Sequence, residues 1–401
     1  MLTMLWLNRP IQCLARTSRS HRTYHRASPA HRGFQKPVHF PVQRGETSLV
    51  LVDEARRFIQ DCLLRMNVPT SKLRSISEFL VVADYRGNFG NGLNRLDGYL
   101  SDLQMGHARA DAEPSVINET AATAHVDGNS ALGVIVGDFC MDLAVQKAQK
   151  AGIGFVVAKK SHHFGMASWY AFRAAVRGFA GLVMSNAVPS MVSPDSQEAS
   201  IGANCLAFCV KGEKSHFALD MAASVRDLGA IEWAWSTNEY IPHGWAADES
   251  GFSTCFPNLA LRAQRLFAAG GHKGFTLACI IDLLCGVLSD AQYATKIPHN
   301  QSQPSNLGQV FVAINPELFL SNFTERLDDF CGRIKDSQSQ NDGSPVQLPG
   351  ENERAHMNYV EDLRALPYPN TLLAKYKLVA EKLCVKPIDL AFERCQSRKS
   401  F

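Results

Sequence analysis

Acidic residues are missing from the start of this chain: no Asp or Glu precedes Glu46. The same 45 residues carry seven arginines and one lysine among short apolar and serine-containing stretches. A leader without acids, rich in Arg and lacking a long apolar core is not a secretory signal and reads as a mitochondrial transit peptide. Residues 1–45 are therefore set apart from the fold, and the mitochondrial matrix is the expected location. No run of about 18 uninterrupted apolar residues occurs, so no transmembrane helix and no membrane partner are expected. The nearest approach, Phe275 to Leu288, is shorter, is interrupted by Asp282, and reads as a buried helix. No C-x-x-C is present. The eleven cysteines are odd in number and scattered, which predicts free, mostly buried thiols and no zinc site or other metal. The formal charge is only +3, and the leader accounts for the positive excess. A mildly acidic body gives no support for nucleic-acid binding.

What remains is enough for an elaborated globular fold. The chain has 401 residues, of which 46% are apolar and 20% charged, a balance that buries a sizeable core. From Thr47 the pattern is helical, with Leu51, Ala55, Phe58, Ile59 and Leu63 on one face. A second helix runs to about Asp84, and a third carries Leu93, Leu96, Tyr99, Leu100 and Leu103. Strand and helix signals then alternate: strands near 121–126, 152–158, 181–185, 207–210, 216–219 and 309–314, and helices near 139–150, 166–177, after Asp220, and 275–289. That alternation predicts an α/β layered mixed sheet. The chain is expected to divide into a helical N-terminal unit (46–115), an α/β core binding cofactor and substrate (116–330), and a C-terminal segment (331–401) returning to the helical unit. The polar stretch 337–347 reads as a loop, and 369–384 as a closing helix.

Ordinary nucleotide fingerprints are absent too. Gly87-Asn88-Phe89-Gly90-Asn91-Gly92 does not match G-x-G-x-x-G and follows a helix instead of a strand, so a Rossmann turn is excluded. No Walker A sequence is found. Three other blocks suit chemistry. Ser161-His162-His163-Phe164-Gly165 lies where a strand turns into a helix, and a helix N-terminus disfavours imidazolium. A neutral histidine there donates a hydrogen bond or trades a proton near neutral pH. Leu219-Asp220-Met221-Ala222-Ala223-Ser224 reads as a strand running into a helix start, with Asp220 a plain N-cap or a neighbour of phosphate-binding N–H groups. Gly270-Gly271-His272-Lys273-Gly274 opens another helix and adds a cation.

The order of these blocks, together with Ala83-Asp84-Tyr85-Arg86-Gly87, Arg95-Leu96-Asp97-Gly98-Tyr99, Ile241-Pro242-His243-Gly244-Trp245 and Leu348-Pro349-Gly350-Glu351, resembles the type 2 malate/L-lactate dehydrogenase family. The resemblance spans about Leu49 to Ile388. It implies a non-Rossmann NAD(P)-binding domain, NAD or NADP as cofactor, a homodimer, and a small 2-oxo or 2-hydroxy acid as substrate. His163 matches the histidine that the family places beside the reacting centre, and His162 has no counterpart with a role. Arg95 and Tyr99 match the pair that the family puts on its third helix. A guanidinium fork suits a 2-oxo acid's carboxylate, and a spacing of four puts both side chains on one helix face. Asp220, Met221, Ala222 and Ser224 match one cofactor-contacting turn, His272 and Lys273 a second, Gly350 and Glu351 a third. Asn186 and Asn204 sit in matching turns and are expected to shape the pocket.

The chain also departs from the pattern. Where the family usually has Ser-His, this sequence has Gly90-Asn91, and an amide delivers no proton at neutral pH. The common lysine near the helix after the Asp220 turn is Ala230, and a frequent hydroxyl residue is Ala187. An active dehydrogenase using His163, with Asn91 at most orienting the substrate oxygen, a weakened or repurposed enzyme with an unusual substrate, and a silent cofactor-binding paralogue with a regulatory or assembly role are all compatible with these residues.

Overall fold

The structure, a computed structural model, describes residues 47–299, 303–338 and 346–391. The leader, Cys13, Cys395 and the middle of the expected 337–347 loop lie outside these residues. In chain order the elements are β1 (Thr47–Val50), α1 (Val52–Arg65), α2 (Thr70–Tyr85), α3 (Leu96–Gln104), β2 (Ser115–Glu119), β3 (Thr123–Asp127), α4 (Gly133–Ala151), β4 (Ile153–Ser161), α5 (Ala167–Ala175) and β5 (Ala180–Ser185). They continue with β6 (Pro189–Val192), β7 (Ala199–Gly202), β8 (Cys205–Lys211), β9 (His216–Ala222), α6 (Leu228–Ser236), β10 (Ala246–Ala247), β11 (Ser253–Thr254), α7 (Pro257–Ala263), β12 (Arg265–Leu266) and α8 (His272–Asp282). The last are β13 (Leu307–Ile314), α9 (Phe323–Lys335), α10 (Glu351–Leu363), β14 (Leu366–Pro369) and α11 (Asn370–Leu383).

A seven-stranded sheet, ordered β2-β3-β4-β13-β5-β8-β9, forms the centre. Its β3/β4 pair is parallel, while β13 runs antiparallel to both β4 and β5, so the sheet is mixed and layered, as expected. β13 reads Leu-Gly-Gln-Val-Phe-Val-Ala-Ile and is buried along seven of its eight residues. Such a run belongs to a central strand covered on both faces. Alternation sends Phe311 and Ala313 toward the cluster that also contains residues of α4 and α5. Val310 and Val312 face the other way, toward Ile281 and Cys285.

Several local expectations need correction. The opening unit is not all-helical: Thr47–Val50 pairs antiparallel with Leu366–Pro369. A backbone ladder to the far end of the chain decides the conformation there, and local periodicity does not show it. Tyr376 on α11 donates to the Leu93 carbonyl, and Tyr368 on β14 donates to Asp84 at 2.7 Å, so the chain's end packs on the helical unit. The boundary at residue 330 falls inside α9, which packs its Leu327 and Cys331 with Val210 of the central sheet. Phe275 to Ser289 is not one regular α-helix and is buried along one face only, at Ala278, Ile281, Cys285 and Ser289. α8 gives way to a π-helical stretch at Leu283–Val287, and Ile280, Leu283, Val287 and Leu288 are exposed. A five-stranded sheet, β11-β10-β12-β6-β7, was not expected; its strands are too short to show a period. Nine cysteines among the described residues are free thiols.

Candidate active site

The helical unit contributes one face of α3 and the turn before it. Leu93–Arg95 is a 3-10 turn that runs directly into α3, so Arg95 stands at the helix entrance, not within it. Arg95, Tyr99 and Asp102 then share a face at helical spacing. The Tyr99 hydroxyl lies 3.1 Å from Nδ1 of His163. Asp102 lies 3.9 Å from Nδ1 of His162 and 4.0 Å from Nδ1 of His107. The structure therefore brings Arg95, Tyr99 and His163 together, and places behind them a His162–Asp102–His107 cluster that the sequence did not reveal.

His163 has an exposed face, yet dense surroundings push its imidazolium down to about 3, with the Arg95 charge as the second cause. Both statements describe a group on the floor of a cleft, reachable by solvent but ringed by protein. The cause expected from sequence, a helix N-terminus, is not the operative one: β4 ends at Ser161 and α5 begins only at Ala167. His162 is 3% exposed and is lowered to about 4, chiefly by burial. Burial pushes the Tyr99 phenol upward, against the pull of Arg95. Tyr99 thus remains a donor. If its O–H serves Nδ1 of His163, Nε2 carries the proton and faces outward.

Arg95 is already engaged. Its Nε donates to the Gly90 carbonyl at 2.5 Å, and Nη2 pairs with Glu232 on α6. Glu232 also accepts from Nδ2 of Asn94 at 2.9 Å. Asn91 does not project its amide onto this group: Nδ2 donates to Oδ1 of Asn88 at 3.0 Å. Glu232 went unnoticed in the sequence, although a lone carboxylate in Ile231-Glu232-Trp233-Ala234-Trp235 is a signal for a paired charge.

The three expected cofactor segments meet along β9, an edge strand of the central sheet. At one end the Ala223 carbonyl accepts from Ala269 at 2.9 Å, which docks the Gly270–Gly274 turn beside it. At the other, Ala218 donates to the Pro349 carbonyl at 3.2 Å, and Gly350 caps α10 with φ 95°. Met221 and Ala222 are half-buried on this edge. Asp220 is not the N-cap of a following helix. It lies within β9 and accepts from the backbone N–H of Ser168 at 3.0 Å, capping α5 instead; burial pushes its carboxyl up. The helix after it, α6, starts at Leu228 and has its own cap, Asp227, which accepts from Ala230. Ser224 turns its hydroxyl to the Arg226 carbonyl at 2.8 Å, and Glu351 is held by Lys335 at 2.6 Å and by the Leu348 N–H at 3.0 Å. His272 and Lys273 are exposed at the start of α8, where Gly271 has φ 64°. The N–H groups of this first turn and the Lys273 ammonium fit a phosphate-bearing cofactor.

Asn186 and Asn204 are buried in their turns. Asn186 bonds to Gln292 and Gly308 at 2.8 and 2.9 Å, and Asn204 to Ala187 and Ala278 at 3.0 and 2.9 Å. Their amides are spent on backbone and pin turns. Among the described residues no cluster of His, Cys, Asp and Glu is able to hold a metal, and no helix is long and apolar enough to cross a membrane.

The family model for malate/L-lactate dehydrogenase matches residues 50–375. The chain belongs to this family. It is 30% identical to a malate dehydrogenase of Pyrococcus abyssi, over 84% of this chain and 96% of that one. It is 28% identical to a ureidoglycolate dehydrogenase (NAD(+)) of Escherichia coli, over 74% and 86% respectively. The solved sulfolactate dehydrogenase of Methanocaldococcus jannaschii superposes with a TM-score of 0.77 at 29% identity, covering 85% of this chain and 99% of the other. The sequence resemblance is thereby borne out, and the chain is a dehydrogenase of the malate/L-lactate type with a fold other than the Rossmann sheet.

Proposed function

We propose that this protein transfers hydride between NAD or NADP and a small 2-oxo or 2-hydroxy acid, using Arg95 to hold the carboxylate and His163 to serve the reacting oxygen. The convergence of Arg95, Tyr99 and His163 from α3 and the β4–α5 connection carries this reading. A nicotinamide, when bound, supplies the hydride. Lys273 and the N–H groups that open α8 suit its phosphates, with Met221, Ala222, Ser224 and Gly350 bordering the β9 edge. Asp220 is engaged by the Ser168 N–H of α5, and Glu351 by Lys335 and the Leu348 N–H, so both act on the protein around that edge.

Arg95 keeps Nη1 for a substrate carboxylate, because its Nε and Nη2 are occupied. Tyr99 fixes the His163 ring so that Nε2–H donates to the substrate carbonyl. Burial is the larger cause of the low proton affinity of His163 and the Arg95 charge, already shared with Glu232, the smaller, so a carboxylate on Arg95 relieves only the smaller of the two. His163 first takes a proton from solvent and then passes its Nε2 proton to the forming alkoxide, so the ring ends neutral; oxidation runs the same transfers backward. Asn91, tied to Asn88, contributes no proton.

The full chain should consume NADH or NADPH with at least one of pyruvate, oxaloacetate, phenylpyruvate or a cyclic imine. Tight cofactor binding with no turnover on any of them favours the second reading, a silent cofactor-binding paralogue, which the Asn91–Asn88 tie supports. We further propose a homodimer, with the exposed Ile280, Leu283, Val287 and Leu288 face as a contact; a monomer in sedimentation overturns this. The mitochondrial matrix is proposed from the composition of residues 1–45, and a cytosolic reporter fused to that segment refutes it.

A further inference from the structure

The most unusual feature of the cleft is the carboxylate the protein itself brings to Arg95. α6 reaches the helical unit by a close backbone approach. A Cβ at Gly90 would lie 2.9 Å from the Gly229 carbonyl carbon, and one at Gly229 would lie 2.9 Å from the Gly90 Cα. Phe89 and Trp233 stack across the same junction, with centroids 4.1 Å apart and planes 6° from parallel. Glu232, one residue before Trp233, pairs with Arg95 and accepts from Asn94. Its placement is therefore built from both sides and is not that of a drifting surface charge.

We propose that Glu232 is a specificity-determining residue that selects 2-oxo monocarboxylates with a neutral or cationic remainder and rejects dianions. This rests on the reading that Arg95 binds substrate. A guanidinium shared with a fixed carboxylate has one free nitrogen edge and little net positive charge left. One carboxylate is accommodated there. A second anionic group on the same small molecule meets the repulsion of Glu232 without a matching cation. A like charge held about 6 Å away in a half-wet cleft changes binding by about tenfold.

The test is titration of the full chain, loaded with NADH, with oxamate and with oxalate, following the fluorescence of the bound dinucleotide. The two anions share shape and differ by one charge. Wild type should bind oxamate more tightly by about tenfold, and Glu232→Gln should shift the oxalate-to-oxamate ratio toward oxalate by about tenfold. A purely structural tie would weaken both anions alike and leave the ratio still. Arg95→Ala should weaken both, which tests the underlying reading separately. If Arg95→Ala weakens neither, or wild type binds neither anion, the carboxylate reading falls and this inference with it. If Arg95→Ala weakens both while Glu232→Gln leaves the ratio within about twofold, the Glu232 inference alone falls. Should Glu232→Gln fail to fold, the wild-type ratio decides: equal or tighter oxalate binding overturns the inference.

Discussion

Gly90→Ser is the sharpest test of how the cleft is built. The new Cβ would sit 2.9 Å from the carbonyl carbon and 3.0 Å from the Cα of Gly229, and 3.3 Å from the Ala230 nitrogen. All three are backbone atoms, so no rotamer change relieves the contact. α6 also resists moving. Its middle is fastened by the Phe89–Trp233 stack and by Asn94 donating to Glu232 at 2.9 Å, and its last residue, Ser236, accepts from the Thr371 hydroxyl at 2.7 Å. Overpacking of this kind destabilises by roughly 1–3 kcal/mol, and we expect that loss in urea unfolding with an unchanged denaturant slope. Gly98→Ala is the control: no atom lies within 4 Å of its Cβ, and alanine in a helix interior favours folding by up to about 1 kcal/mol. A Gly90→Ser protein within about 0.5 kcal/mol of wild type would refute the close-approach argument, and the docking of Glu232 would need another cause. The same geometry bears on restoring the family's Ser-His pair. Asn91→His alone leaves α6 in place, whereas adding Gly90→Ser pushes it off.

Further outcomes can be checked. Tyr99→Phe removes the hydroxyl 3.1 Å from His163 and frees the ring tautomer; kcat should fall about tenfold with a smaller change in KM, as expected when an acid–base group is misaligned. Lys273→Ala should weaken NADH binding by roughly tenfold, read by fluorescence titration, as loss of one phosphate-facing cation predicts. His162, held neutral with its imidazolium at about 4, binds protons in the unfolded chain first, so its contribution to stability is present above about pH 6.5 and is lost as pH falls toward 4. That amounts to roughly 3 kcal/mol, and His162→Phe should flatten this acid limb in urea midpoints measured across pH. Asp84 has the opposite sign. Its carboxyl is raised to about 7 by burial, against bonds from Leu93 and Tyr368, so the folded chain holds this proton more tightly than the unfolded one. The contribution is full below about pH 4 and is lost as pH rises through 7. Asp84→Asn keeps one oxygen for both donors and should remove that decline; a steeper decline overturns the assignment.

The sequence made visible whatever was local or carried on long periodic runs. The strands around Val157, Val183 and Val310, and the helices of the opening unit, follow directly from apolar spacing, and Arg95 and Tyr99 on one face follow from a spacing of four. Elements whose partners lie far along the chain stayed hidden. Thr47–Val50 is a strand only because Leu366–Pro369 completes it. Asp220 reads as a cap for the next helix and is in fact a cap for α5, whose Ser168 lies 52 residues earlier. The cofactor segments were legible as blocks, but not that β9 joins them, nor that the side chains of Glu351 and Ser224 turn back onto their own turns. Glu232 was missed because pairing across 137 residues leaves no trace in spacing. The cause of the His163 shift was misread because neutrality is set by surrounding mass and by Arg95, which a turn-by-turn reading does not weigh.

One departure of this chain from its family, Gly90, is a packing event. A serine in place of Gly90 would stand where the Gly229 backbone now lies, so glycine there is what admits α6 to the Arg95 turn. Once α6 is admitted, Glu232 reaches Arg95, and the guanidinium that would otherwise present a full charge presents a shared one. With Asn91 in the position of a proton donor and bonded to Asn88, His163 is the imidazole left beside Tyr99, and a carboxylate held on Arg95 sets the substrate carbonyl against it. Recognition and proton handling then pass through the same guanidinium. A substrate lacking a carboxylate should therefore lose in kcat as well as in KM, because Arg95 no longer orients its carbonyl against His163. Comparing pyruvate with acetaldehyde at saturating NADH measures this, and a loss confined to KM would show that binding and proton transfer are separate here.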